Sequence, residues 1–256
     1  MDFSNLIKDM MGQAVDRPNK STNGTLSGHA AGEPFEKCVY HILQGYYPGR
    51  IFKQHEFLNE LYQRNPSYIT AKQRYDLLNS PVALFLLSRG EKATREWSPT
   101  NIFEERQSDT ADILFVDNAH YNIIDVKTRN LDKDAMPPNI ISAYKLAKTC
   151  AIMIDNKEYN SVGIDYVEIE WKEQGVQLVA KGAHHGNLFM VDPAKLYINW
   201  AAGMQIQFHV CDMDQSWQGG MEEWARNYLR TFVHSAEERC KRLHDVYIAP
   251  FLKYLS

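Results

Sequence analysis

The stretch from Asp109 to Lys127, DTADILFVDNAHYNIIDVK, constrains this chain more than any other. Ile113, Leu114, Phe115 and Val116 form one apolar run, and Tyr121, Ile123, Ile124 and Val126 form another. Asp117-Asn118 and the residues after them supply turn chemistry, so the spacing predicts a β-hairpin. Pairing Asp117 with His120 across that turn fixes an antiparallel register in which Asp112 stands opposite Asp125. Directly opposed residues lie roughly 4.5–5.5 Å apart at Cβ. Two carboxylates at that separation repel, and a divalent metal with oxygen ligands is their natural partner. Strand period two puts Lys127 on the face of Asp125 and turns Val126 into the core. Two carboxylates and an ammonium at the open end of a hairpin suit metal-assisted hydrolysis of a phosphodiester. An ordinary half-exposed strand also alternates polar and apolar residues, but stability gives no reason to oppose two aspartates.

The chain has 256 residues, 44% hydrophobic and 23% charged, enough for one large α/β domain with a substantial core or two small ones. No internal repeat and no long Pro- or Gly-rich linker divides it, so it reads as a single domain over residues 1–256. There is no membrane-spanning run and no apolar leader. Cys38, Cys150, Cys211 and Cys240 are scattered without a CxxC, as expected of reduced thiols in a cytoplasmic protein. The histidines, His184-His185 included, show no metal-ligand spacing. A net charge of −4 argues against a binder of nucleic acid driven by bulk basic charge. It leaves room for a specific one whose basic groups, such as Lys92/Arg95, Lys127/Arg129/Lys133 and Lys145/Lys148, line one cleft.

Periodicity predicts a short helix over residues 2–16, then a polar loop around Arg17–Gly24. A helix is expected from Glu33-Pro34, burying Phe35, Val39 and Leu43. Glu33 and Glu36 then sit in its first turn, where the helix dipole favours carboxylates. Glu36 is also a candidate accessory group for the metal site, as is Asp109 at the hairpin entrance. Residues 51–64 and 69–88 read as mainly helical. The prolines of Met136-Pro137-Pro138 make the segment after Lys127 a loop. A helix is expected from Asn139, as N-cap, to about Lys157. A second hairpin is expected over 164–171 and 176–180. A strand follows at Gln205–Val210, and a long amphipathic helix over 220–248 buries Trp224, Tyr228, Val233, Leu243 and Val246 and ends at Pro250.

Asp112, Asp125 and Lys127 have the D…D-x-K spacing of the PD-(D/E)xK nucleases. Longer runs carry a sharper likeness. GTLSGHAAGEPFEK, NSPVALFLLSRG, DTADILFV, DVKTRN, PNIISAYKLA, MIDNKE and LYINWAAGMQIQFHV resemble the HincII-type restriction endonucleases, from about Gly24 to the C-terminus. The first twenty residues and 172–193 match poorly.

The resemblance implies a restriction-endonuclease-like α/β fold, a central mixed β-sheet flanked by helices. It implies a homodimer on double-stranded DNA, cutting a six-base-pair palindrome of the GTYRAC kind at its centre to leave blunt ends with 5′-phosphates. Asp112 and Asp125 would hold Mg²⁺ with help from the Val126 carbonyl, and Lys127 would serve the attacking water. Met136, Pro137 and Asn139, and Tyr197, Asn199 and Ala201, map to the two DNA-recognition segments. A cognate DNA methyltransferase is expected in the same host. Met136-Pro137 replaces the Gln-Ala of other members. That leaves the central step open between GTYRAC and a narrower site such as GTTAAC. Two other readings fit the residues: a structure-selective repair or recombination nuclease, and a DNA-binding protein without cleavage.

Overall fold

The fold comes from a computed structural model, which describes residues 1–17, 28–54, 56–58, 69–87, 111–134 and 136–255, with backbone alone for 28–31. In chain order the elements are α1 (Ser4–Met10), β1 (Ala14–Asp16), α2 (Gly28–Tyr46), β2 (Ile51–Lys53), α3 (Ala71–Leu78) and α4 (Pro81–Leu87). The hairpin β3 (Ile113–Asp117) and β4 (His120–Asn130) follows, then β5 (Asn139–Ser142) and α5 (Ala143–Asn156). Next come β6 (Val162–Gln174), β7 (Gln177–Asn187), β8 (Ile198–Asn199), β9 (Gln205–Gln207), α6 (Met221–Leu243) and α7 (Ala249–Leu252). Asp109, and the basic pair Lys92/Arg95, lie outside the described residues.

Six strands form a mixed sheet in the order β1-β7-β6-β4-β3-β2. Among the described residues only the β4–β6 pair is parallel, with Asp125 level with Tyr166. A parallel pair needs a crossover connection, and here it runs through β5 and α5. Both faces of the sheet are covered, which explains why β3 reads as an unbroken apolar run. Ile113 and Phe115 pack with Phe35, Val39 and Leu43 of α2 and Leu6 of α1. Leu114 and Val116 face the other way, onto Leu86 of α4 and Leu146 of α5. A second sheet, β5-β9-β8, is antiparallel. Buried Tyr228 on α6 donates to the Ala143 carbonyl at 2.9 Å, fastening α6 to the start of α5. Among the described residues no helix is long and apolar enough to cross a membrane.

Several expectations change. Residues 51–53 are not helical but form edge strand β2, paired with β3 through Lys53 and Ile113. α2 starts at Gly28, so Pro34 lies within it. β4 runs on to Asn130, so the loop begins only at Leu131, and β5 opens at Asn139. Asn139 is not a helix cap: it opens β5, and Ser142 caps α5 by accepting from the Lys145 N–H. A bulge between Asn139 and Ile141 lets adjacent Ile140 and Ile141 both be buried, which breaks the alternation a strand normally shows. Met221 begins the last long helix as expected, but Val233, Leu243 and Val246 are exposed. Pro250 does not end the helical stretch. A π-turn at His244–Ile248 resets it, and Pro250 sits in the first turn of α7, where its missing N–H is tolerated.

Candidate active site

The β3–β4 turn sets the site. Asp117 pairs with His120 and Ile113 with Ile124. Asn118 takes the left-handed conformation (φ 55°), which Asn tolerates better than most residues. One step beyond the last paired residues, Asp112 comes alongside Asp125. Asp112 Oδ2 accepts the Val126 N–H at 2.7 Å, closing the open end of the hairpin. Lys127 shares the face of Asp125, and its Nζ lies 2.7 Å from Asp125 Oδ2. Val126 points the other way, into the core under α2.

These residues line a cleft of about 590 Å³, whose other walls are Gly32, Glu33 and Glu36 of α2, Thr128, Pro138 and Asn139. Burial pushes the Asp112 carboxyl up to about 7, and the neighbouring charge of Asp125 adds to it. The Val126 N–H and Lys127 pull the other way without winning. The donor set (two carboxylates and the Val126 carbonyl) is all hard oxygen, the kind Mg²⁺ prefers while keeping several waters. Among the described residues no group of three His, Cys, Asp or Glu side chains converges on a metal position. Glu36 reaches the cleft, but its carboxylate pairs with Lys53 Nζ at 2.8 Å, both largely buried. Lys53 escaped notice in the sequence because its three-residue strand reads as part of a helix.

The recognition candidates fall on the second sheet and its loops. Met136 is 81% exposed on the loop after β4, and Tyr197 is 67% exposed just before β8. Pro137 lies on the loop with Met136, and Ala201 lies in the turn after β8. Asn139 joins this group to the cleft. The structure also adds Gln207, on β9 directly opposite Asn139. Its Nε2 donates to Asn139 Oδ1 at 2.7 Å, and its Oε1 accepts from Asn199 Nδ2 at 2.7 Å. Elsewhere, toward the start of β4, a hollow of about 660 Å³ contains buried Asp165. That carboxylate is already engaged by Asn122, His185 and Asn187, and neither Asp112 nor Lys127 reaches it.

Comparison with known proteins bears on this arrangement. The family model for restriction endonuclease HincII matches residues 6–255. The type II restriction enzyme HindII of Haemophilus influenzae strain Rd is 54% identical, over 99% of this chain and 97% of its own. The type II restriction enzyme HincII of Haemophilus influenzae is 53% identical over the same shares. Among solved structures, the NlaIV restriction endonuclease aligns over 94% of this chain and 90% of its own, with 8% identity and a TM-score of 0.36. With relatives this close along nearly its whole length, the chain is a type II restriction endonuclease. It belongs to the HincII restriction endonuclease family.

Proposed function

We propose that this protein is a cytoplasmic, single-domain, Mg²⁺-dependent endonuclease that acts as a homodimer on a six-base-pair palindrome of the GTYRAC kind. It cuts both strands at the centre, leaving blunt ends with 5′-phosphates. A two-fold dimer matches a two-fold site. The observation that carries the reading is the shared cleft: the paired carboxylates and Lys127 line the same hollow as Asn139, a residue of the recognition sheet. A cognate methyltransferase in the host protects the same sequence.

Asp112, Asp125 and the Val126 carbonyl would hold the metal. When bound, Mg²⁺ supplies charge neutralisation at the phosphate and makes water a better nucleophile. Lys127, freed from Asp125, orients the attacking water and donates a hydrogen bond to the phosphoryl oxygen that gathers charge. Water forms the new bond to phosphorus as the bond to the 3′-oxygen breaks, and the 3′-hydroxyl leaves. Met136 fits as an apolar wedge at a base step, since it stands free on its loop.

The test uses short duplexes carrying each of the three distinct GTYRAC sites (GTTAAC, GTCGAC and GTTGAC/GTCAAC), with Mg²⁺, with Ca²⁺ and with chelator. Cleavage at the centre in Mg²⁺ alone, with binding but no cutting in Ca²⁺, is expected. Cutting that follows mismatches or branches instead of these sequences would favour the structure-selective nuclease, and binding without cutting in Mg²⁺ would favour the inactive binder.

A further inference from the structure

The chain of three amides, Asn199–Gln207–Asn139, has a direction, and two backbone groups set it. Asn199 Oδ1 accepts the N–H groups of Ala201 and Ala202 at 3.0 and 3.1 Å. A backbone N–H can only donate, so the Asn199 carbonyl must lie on that side. Its Nδ2 is thereby turned toward Gln207, whose Oε1 must receive it. Gln207 Nε2 then faces Asn139, whose Oδ1 must accept. What remains at the far end is Asn139 Nδ2, on an exposed residue and without a hydrogen-bond partner among the described residues. Reversing any one amide would set carbonyl against carbonyl or N–H against N–H.

The backbone holds the three in place. Asn139 stands opposite Gln207, and Asn199 opposite Gln205, on neighbouring strands of one small sheet. Gln205 and Gln207 share a face. Ile206 between them is fully buried, so the face cannot rotate without opening the core. The turn that presents the Ala201 and Ala202 N–H groups closes through Gly203 and Met204, both at positive φ (72° and 58°). The Met204 carbonyl accepts the Ala143 N–H at 2.8 Å, which ties that turn to α5.

We propose that Gln207 is a specificity-determining positioning residue: it hands the polarity set at Asn199 by the Ala201 and Ala202 N–H groups on to Asn139, so that Asn139 offers donors, which selects guanine. The assignment rests on the reading that these asparagines face the bases. Guanine offers two acceptors, N7 and O6, in the major groove, whereas adenine offers one acceptor and one donor. An asparagine free to turn over suits adenine as well as guanine. One locked as a donor does not.

The test compares kcat/KM on a GTTAAC duplex with the same duplex carrying 7-deazaguanine, which lacks the N7 acceptor, at the outer position. Wild type should lose roughly tenfold on the modified duplex. Gln207→Glu has nearly the same shape but only accepts. Its carboxylate would draw Nδ2 of both asparagines and turn the Asn139 carbonyl outward. Cutting of the normal duplex should then fall about tenfold or more, while the penalty for 7-deazaguanine shrinks below about threefold. Gln207→Leu, which removes the lock without imposing the reverse, should also shrink that penalty. A purely structural role predicts the opposite: both duplexes slowed by the same factor in both variants, with the penalty kept, and that result overturns the proposal. Wild type that leaves every duplex intact would instead overturn the nuclease reading, and this assignment with it.

Discussion

The Val126 N–H donates to Asp112 Oδ2 at 2.7 Å, and this one bond joins the end of β3 to the strand that carries Asp125 and Lys127. It holds Asp112 beside Asp125 although the strand pairing itself stops at Ile113. The two carboxylates are therefore brought together by backbone geometry, and the fold bears their repulsion.

That repulsion predicts a stability change. In the metal-free fold Asp112 titrates near 7 rather than 3.8, because it is buried and faces Asp125. The folded state holds a proton that the unfolded chain releases near pH 4. Stability of the metal-free protein therefore falls as pH rises from about 4 to about 7 and levels off above. The rise corresponds to a penalty on the order of 4 kcal/mol. Asp112→Asn keeps an acceptor for the Val126 N–H and removes the charge. Its Tm without metal should exceed wild type at pH 8 by several degrees, at roughly 2–4 °C per kcal/mol, and the gap should close toward pH 5. Thermal melts at the two pH values decide it. Added Ca²⁺ should stabilise wild type and not the variant.

Lys127 lies against Asp125 and presents an ammonium to the cleft. Lys127→Ala should lower single-turnover cleavage by about 10²–10³-fold or more while specific binding in Ca²⁺ stays within a few fold. Cutting at the wild-type rate would remove Lys127 from the chemistry.

Met136 is so exposed that its replacement has no packing term to lose. Met136→Gln should leave the melting point unchanged, within about 0.5 kcal/mol in stability. It should change the relative kcat/KM of the three distinct GTYRAC duplexes, by roughly tenfold for at least one central step. Rates in the same ratios as wild type would mean that Met136 does not touch the central step.

Tyr228 is a control outside the site. Its hydroxyl is the donor to the buried Ala143 carbonyl. Tyr228→Phe leaves that carbonyl without this donor and should destabilise by about 1–2 kcal/mol in urea melts, with cleavage at 25 °C unchanged.

The hairpin was legible because a tight turn fixes register over the few residues on either side, so Asp112, Asp125 and Lys127 follow from local spacing. The small sheet was not. Ile140 and Ile141 fit a helical stripe with Tyr144 as well as they fit a bulged strand, and that ambiguity made Asn139 look like a cap. β2 is three residues long, too short to show any period. The role of Gln207 depends on a contact across 68 residues, from β9 to Asn139, and no local pattern encodes it. The exposed side chains beyond Val233 kept their helical spacing but not their burial, since periodicity reports a stripe and not what covers it.

The most direct measurement is digestion of a fully sequenced plasmid with Mg²⁺, followed by sequencing of every fragment end. The account predicts discrete blunt fragments, each ending between the third and fourth bases of GTYRAC or of a subset of it, with 5′-phosphates. Staggered ends, ends at unrelated sequences, or an uncut plasmid would contradict it.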